Sequence, residues 1–170
     1  LALRIRRGAL LRQAGRLDDS IAWLEGVLSA APGNLRAMRE LAVSLCQAGR
    51  TEDADVVTSA ILAADPKDRA ALVTRFEIAR QEQGPSAALE RLDAALEVYP
   101  DDMALRGRRG ALLRQSGRLE ECAAWLESLL AASPGNLPAM YELALALRQD
   151  GRIGDSARVI EEMLAIAPAH

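Results

Sequence analysis

The segment LALRIRRGALLRQAGRLDDSIAWLEGVLSAAPGN, residues 1–34, carries the pattern that decides the fold. Two runs with helical spacing of apolar residues, 1–14 and 17–31, are separated by Gly15 and followed by Pro32. Glycine permits a tight turn, and proline cannot continue a helix. The segment therefore predicts two helices joined by a short turn, which makes them antiparallel.

This unit recurs along the whole chain. Prolines stand at one constant interval, at Pro32, Pro66, Pro100, Pro134 and Pro168. Turn glycines keep the same interval, at Gly15, Gly49, Gly117 and Gly151, whereas Gly84 is displaced by one residue. The chain thus divides into a single array of five repeats, 1–34, 35–68, 69–102, 103–136 and 137–170. Self-similarity at this period predicts an all-α solenoid of helix–turn–helix repeats with about ten antiparallel helices.

A longer period is superimposed on the first. Repeats 1 and 4 are identical at 23 positions, and repeats 2 and 5 at 15. Duplication of a block of three repeats explains both similarities. The sequence opens within a repeat pattern and not with methionine, so we expect it to be a fragment of a longer chain.

Composition narrows the class of protein. The 170 residues are 50% hydrophobic and only 3% aromatic, which favours helices over a β-sandwich or barrel. A formal net charge of −3 lacks the basic excess of a nucleic-acid binder, so no nucleic-acid partner is predicted. No apolar run is long enough for membrane insertion. Cys46 and Cys122 form no CxxC pair and no targeting segment is evident, which favours a cytoplasmic location.

The sequence lacks the residue clusters that catalysis requires. Its single histidine, His170, is the last residue, whereas a nucleophilic triad needs an internal histidine oriented by a third group. Two distant cysteines do not make a zinc site, and there is no GxxxxGK[ST] loop to hold a phosphate. We therefore predict a protein that is not an enzyme and uses no metal or cofactor.

The unit resembles the tetratricopeptide repeat, a helix–turn–helix of about 34 residues. Its two columns of small residues are largely kept, at Gly8, Ala42, Phe76, Gly110 and Ala144 in the first helix and Ser20, Ala54, Ala88, Cys122 and Ser156 in the second. Arginine departs from the family pattern at packing positions, namely Arg4, Arg7, Arg75, Arg106 and Arg109. We expect the stems of these arginines to cover apolar surface while each guanidinium reaches water or a carboxylate. We expect Trp23 and Trp125 to be surface residues of the outer face.

The resemblance implies a right-handed superhelix whose concave groove binds a peptide segment of a partner protein. In this family a stripe of the first helix lines the groove, and here it is small and apolar with arginine along one edge. The stripe includes Ala2, Ile5, Ala9, Ala104, Gly107, Ala111, Pro138 and Leu145. The candidate binding residues are Arg12, Arg39, Arg80, Arg114, Tyr141 and Arg148, with Gln47, Gln81 and Gln115 of a neighbouring glutamine column.

Arginines at these positions would bind the carboxylates of an acidic peptide, and the glutamines its backbone. The alternative is structural, because arginine and glutamine near a helix C-terminus also complement the helix dipole and its free carbonyls. Two further functions stay open at this point. One is self-association into a homo-oligomer through exposed ends of the solenoid, and the other is service as an accessory array to an enzyme domain outside these 170 residues.

Overall fold

The computed structural model describes residues 1–167, so Pro168 of the proline column and His170 lie outside the described part. Ten α-helices and no β-strand occupy these described residues, two helices in each predicted repeat. The helices are α1 (Ala2–Gln13), α2 (Leu17–Ala30), α3 (Leu35–Gln47), α4 (Thr51–Ala64), α5 (Arg69–Gln83), α6 (Pro85–Val98), α7 (Met103–Gln115), α8 (Leu119–Ala132), α9 (Leu137–Gln149) and α10 (Ile153–Ile166). The predicted all-α helical-repeat fold is confirmed.

The chain forms two compact units, with the division after Arg91, inside α6. In the first unit each of the helices α1 to α5 packs on the next, and the first helices of successive repeats, α1, α3 and α5, also contact one another. In the second unit α7 to α10 pack in the same way, and α7 contacts α9. Each unit is therefore a stack of helix pairs in which first helices lie side by side.

In repeats 1 and 4 a glycine of the first helix lets the two helices of the pair approach closely. A Cβ atom on Gly8 of α1 would lie 2.6 Å from the side chain of Leu24 in α2, which is fully buried. The neighbouring Ser20 hydroxyl donates a hydrogen bond of 2.9 Å to the Gly8 carbonyl. Equivalent bonds recur in repeats 4 and 5, from the Cys122 thiol to the Gly110 carbonyl at 3.1 Å and from the Ser156 hydroxyl to the Ala144 carbonyl at 2.8 Å. The two small-residue columns thus meet across the helix pair.

Cys122 makes this contact as a protonated thiol. Its side chain is fully buried, and burial, assisted by the charge of Glu142, raises the pKa of the thiol to about 11. The proton that the Gly110 carbonyl accepts is therefore present throughout the physiological range. Cys122 serves as a small packing residue with a weak donor.

The turn within each repeat needs a left-handed backbone. Gly15 has a φ of 74°, and the N–H of the following Arg16 bonds to the carbonyl of Leu11 at 3.0 Å, which satisfies an end carbonyl of α1. In repeat 3 the same role falls to Gly84, one residue later, with a φ of 86° and Pro85 opening α6. The displaced glycine of the sequence therefore lengthens α5 and preserves the turn.

The last residue of each of the first four repeats caps the first helix of the next. The side chain of Asn34 accepts a hydrogen bond of 3.0 Å from the backbone N–H of Ala37, three residues into the following repeat. The same contact is made at 2.9 Å by Asp68, at 3.1 Å by Asp102 and at 3.1 Å by Asn136. Short side chains with an acceptor oxygen are the preferred caps of a helix N-terminus, which explains the Asn or Asp at each of these junctions.

Asp68 also holds an ion pair between successive first helices. Its carboxylate is 4% exposed and receives the guanidinium of Arg39 from α3 as well as the N–H of Ala71 in α5. Burial raises the pKa of the Asp68 carboxyl, but the hydrogen bonds from Arg39 and from the backbone outweigh it, so the pKa lies below its ordinary value. The charged form of Asp68 therefore stabilises the fold.

Four of the five arginines at packing positions lie against a tryptophan ring, whereas Arg75 donates to Ser59. Arg7 stacks over the indole ring of Trp23 at 4.0 Å, and the indole N–H donates to the carbonyl of Arg4 at 2.7 Å. In repeat 4 the Trp125 ring lies 4.4 Å from the guanidinium of Arg109. The expectation of tryptophans on the surface is incomplete, because each indole is half-buried and joins its own helix to the first helix of the repeat.

Replacing Gly110 by alanine tests the close contact of the helix pair. The added Cβ atom would meet the buried Leu126 side chain at 2.6 Å, so we expect Gly110→Ala to lower the free energy of unfolding by about 1–3 kcal/mol. Gly107→Ala on the same helix is the matched control, because no atom lies within 4 Å of its Cβ position. That variant should gain up to about 1 kcal/mol from helix propensity. Urea denaturation giving equal stabilities for the two variants would contradict the contact.

The Asp68 carboxylate makes stability depend on pH. Because the pKa in the folded chain lies below the unfolded value of about 3.9, the contribution is present above that value and is lost as the pH falls through the folded-state pKa. Asp68→Asn keeps the capping oxygen and removes the charge. We expect it to cost about 1–2 kcal/mol at neutral pH and progressively less in strong acid, as measured by urea denaturation at each pH. A cost that does not change with pH would show that the charge contributes nothing.

Candidate peptide-binding site

The predicted trough residues of repeats 4 and 5 line one open groove. It lies between α7 and α9, has a volume of about 480 Å³, and its walls are mostly apolar. Five of the predicted stripe positions line it: Ala104, Gly107, Ala111, Pro138 and Tyr141. The Tyr141 side chain is 55% exposed, and Met103 is 37% exposed at the opposite wall. The second unit therefore presents an apolar groove where the pattern predicts one.

In the first unit, three residues at the equivalent stripe positions are buried or ion-paired within the chain. Ile5 and Ala9 of α1 are buried, at 3% and 8% exposure, and Ile5 packs with Val27 and Ala37. Arg39, the counterpart of Tyr141, is bound to Asp68 as described above. These three trough residues of the first unit therefore serve contacts within the stack of helices.

Three of the predicted edge arginines have acidic partners within the chain. Arg12 pairs with Glu40 at 3.3 Å and Arg114 with Glu142 at 2.9 Å, each joining a first helix to the next one. Both pairs are largely shielded from solvent. Arg80 pairs with Glu77 on its own helix at 2.8 Å and is more exposed. These three arginines were predicted to bind carboxylates of a partner peptide. In the structure each is already paired with a glutamate of the chain itself.

Arg148 differs from the other edge arginines. It is exposed at the C-terminal end of α9, and it has no ion pair with any residue in the described part of the chain. It lies two turns of α9 beyond Tyr141, whose side chain lines the groove. Among the candidate residues it is the arginine with a guanidinium open to an external carboxylate.

Of the three candidate glutamines, one is hydrogen-bonded within the chain and two are exposed to solvent. Gln81 donates from its side-chain amide to the carbonyl of Cys46 at 3.2 Å and to its sulfur at 3.3 Å, joining α5 to α3. Burial, followed by the charge of Glu77, raises the pKa of the Cys46 thiol, so this neighbour is neutral. Gln47 and Gln115 are exposed. One glutamine of the three therefore has a structural partner.

The pairing of arginine with glutamate was missed in the sequence, although a signal for it is present. Glutamate stands at the sixth position of repeats 2 and 5, at Glu40 and Glu142, directly after the repeats that carry Arg12 and Arg114. Comparing positions across neighbouring repeats, and not only within one column, would have found it. The groove residue Met103 was likewise missed, because it precedes the stripe and replaces the leucine of repeat 1.

No helix in residues 1–167 combines the length and the apolar character needed to cross a membrane. This finding agrees with the absence of a long apolar run in the sequence.

Comparison with known proteins identifies the repeat. Two tetratricopeptide repeat models match the chain, one at residues 11–75 and the other at residues 73–136. Together they cover four of the five repeats in part or in full. A search of curated protein sequences gives no match.

Solved structures share the fold at low sequence identity. The crystal structure of MamA protein is 18% identical, with a TM-score of 0.73 over 97% of this chain and 90% of that one. TTC0263, a thermophilic tetratricopeptide protein of Thermus thermophilus, is 22% identical, with a TM-score of 0.73 over 99% and 92%. A tetratricopeptide repeat protein from Parabacteroides merdae is 22% identical, with a TM-score of 0.78 over 96% and 64%.

The period, the paired small-residue columns, the turn glycines and the sequence models all agree. Arrays of this kind are helical-repeat scaffolds for protein–protein interaction and typically have no catalytic activity of their own. The chain belongs to the tetratricopeptide repeat family.

Proposed function

We propose that this chain is a scaffold that binds a peptide segment of a partner protein in the groove between α7 and α9. The observation that carries the proposal is the open apolar groove at the predicted stripe positions, with Tyr141 exposed on its wall. An exposed aromatic side chain beside a concave apolar surface is a frequent anchor of protein interfaces. More than half of the Tyr141 surface is open in the described part of the chain and is available to such a partner.

The charge of the groove edge indicates which peptides fit. Arg148 offers a guanidinium without an ion-pair partner in the described residues, and Arg114 offers one that is already shared with Glu142. An acidic residue in the peptide would therefore pair first with Arg148. The other candidates, apart from Gln115, belong to the first unit, and none of them lines this groove. They are Arg12, Arg39, Arg80 and Gln81, each bonded within the chain, and Gln47. In the second unit the exposed amide of Gln115 is available to an extended backbone.

Selection from a displayed library of random dodecapeptides tests the groove directly. We expect Tyr141→Ala to weaken the selected peptides at least about tenfold, measured by fluorescence anisotropy, because it removes the aromatic anchor. Arg148→Ala should weaken only the peptides that contain an acidic residue. Arg158→Ala is the control, since that exposed arginine lies on α10, away from the two helices that form the groove, and pairs with Asp155. Failure to enrich any peptide, or binding that ignores Tyr141, would refute the proposal.

A second candidate function is self-association, and a recurring contact favours it. Arg75 donates to Ser59 at 3.1 Å, and Arg109 donates to Asp93 at 2.7 Å. Each bond joins the seventh position of one repeat to the twenty-fifth position of the repeat before it. Arg7 occupies the seventh position of repeat 1 and has the Trp23 ring as its described partner. The guanidinium of Arg7 is therefore suited to pair with a carboxylate of another chain.

The surfaces beside this position are apolar on both α1 and α10. Leu3 and Leu10 of α1 are 86% and 50% exposed, whereas the equivalent positions of the later repeats are buried. On α10, Ile160 and Leu164 are 45% and 48% exposed and flank Glu161, which occupies the twenty-fifth position. Stacking α1 of one copy on α10 of another would cover both surfaces and pair Arg7 with Glu161.

Sedimentation equilibrium over a range of concentrations tests this second candidate. We expect the average mass to rise with concentration and Leu3→Glu to shift the rise to higher concentration, because the substitution places a charge in the stacked surface. Val56→Glu is the control, since Val56 is 71% exposed on α4, which takes no part in the stacking. A monomer mass at every concentration, or an equal effect of the two variants, would exclude end-to-end stacking.

A further inference from the structure

Helix α1 and the matching stretch of α7 are two copies of one sequence that differ at a single residue. From Ala2 to Gln13 the chain reads ALRIRRGALLRQ, and from Ala104 to Gln115 it reads ALRGRRGALLRQ. The difference is Ile5 in the first copy and Gly107 in the second. The helix on one side of the groove is therefore a natural substitution variant of α1.

In the first copy the isoleucine fills a definite space. Ile5 is 3% exposed and packs against Val27 of α2 and Ala37 of α3. Its side chain thus occupies the junction where one repeat meets the first helix of the next. The space has the shape and chemistry for one branched aliphatic side chain, because the chain itself places one there.

In the second copy the same space is open. A Cβ atom built on Gly107 meets no atom within 4 Å, and Gly107 lines the groove together with Ala139, the counterpart of Ala37. Packing does not require glycine at this position, in contrast to Gly110 one turn later, where Leu126 leaves no room for a Cβ atom. Glycine is also among the least favourable residues inside a helix. Neither packing nor helix propensity accounts for Gly107.

Two positions beside the groove have changed in the same sense, whereas Val27, which Ile5 contacts, is replaced by the larger and fully buried Leu129. Where the first unit has Arg36 and Arg39, the second has Pro138 and Tyr141, both of which line the groove. Two charged side chains have thus been replaced by an apolar ring and an aromatic one at the rim of the space left by the isoleucine. Together the three differences turn a filled junction into an open apolar socket.

We infer that Gly107 forms the floor of a socket that receives one aliphatic side chain, of isoleucine or leucine size, from the bound partner segment. The inference rests on the proposed function, because it specifies what the groove between α7 and α9 recognises. The occupant is defined by Ile5, whose side chain fills the equivalent space in repeat 1. The small side chains of Ala104 and Ala111 leave space on either side of Gly107. Tyr141 of α9 would cover the inserted side chain from the opposite wall.

The test uses the peptides enriched from the dodecapeptide library and fills the socket from the protein side. Gly107→Ile converts this stretch of α7 into the sequence of α1, a helix that the chain already forms with isoleucine at this position. We expect it to weaken peptide binding at least about tenfold while the circular dichroism spectrum and the urea midpoint stay unchanged or improve. Gly107→Ala adds only a methyl group and should have a much smaller effect on affinity.

A double-mutant cycle identifies the inserted side chain. Each aliphatic residue of a selected peptide is replaced by alanine, and each variant is measured against the wild-type protein and Gly107→Ile. We expect one replacement to cost about tenfold or more against the wild type and little against Gly107→Ile, because the socket is then already full.

Peptides that need Tyr141 but bind Gly107→Ile as well as the wild type would overturn the socket and leave the proposed function standing. Peptides for which no single aliphatic residue couples to Gly107 would overturn it in the same way. A library that enriches no peptide, or peptides indifferent to Tyr141, would overturn both. If Gly107→Ile loses its helical spectrum, Gly107→Leu replaces it in the same cycle with the same expectations.

Discussion

The packing of the helix pairs depends on the close approach of the two helices of a repeat, which glycine permits in repeats 1 and 4. Gly8 and Gly110 leave space for Leu24 and Leu126, and a side-chain donor from the second helix bonds to the glycine carbonyl beside that contact. The contact fixes the distance between the two helices of a repeat. Within each unit it therefore also affects how the first helices of neighbouring repeats pack side by side. Arginine stems, tryptophan contacts and terminal caps add to a geometry that this contact has already set.

The fold could be predicted from the sequence because its determinants are local and repeated. Prolines and glycines at a constant interval marked every turn, and the displaced Gly84 marked the one helix that is longer. The sequence also predicted that the arginines at packing positions would cover apolar surface with their stems. A long aliphatic stem that ends in a charge has few other ways to be half-buried. The tryptophans were described less fully, because one column of residues does not show that an indole can bond to a carbonyl on the preceding helix.

The candidate site was predictable in position but not in detail. The stripe of the first helix does line a groove in repeats 4 and 5, but in repeat 1 two of its residues, Ile5 and Ala9, are buried. The difference depends on Ile5 and its neighbours across two helices. Likewise, Arg12 and Arg114 look like ligand residues until Glu40 and Glu142 of the following repeat are placed beside them. Contacts between repeats are long-range in the sequence, and reading each repeat alone does not reveal them.

The caps that join the repeats have an evolutionary consequence. Four first helices take an N-terminal hydrogen bond from the final residue of the preceding repeat, namely Asn34, Asp68, Asp102 or Asn136. A genetic exchange that moves any of repeats 1 to 4 whole, cutting just after the capping residue, therefore still supplies an acceptor at the junction that follows it. Shuffling of whole repeats then leaves the capping hydrogen bonds at the repeat junctions in place. Selection is left free to diversify the faces of the duplicated helices, as the single difference between the two copies in α1 and α7 illustrates.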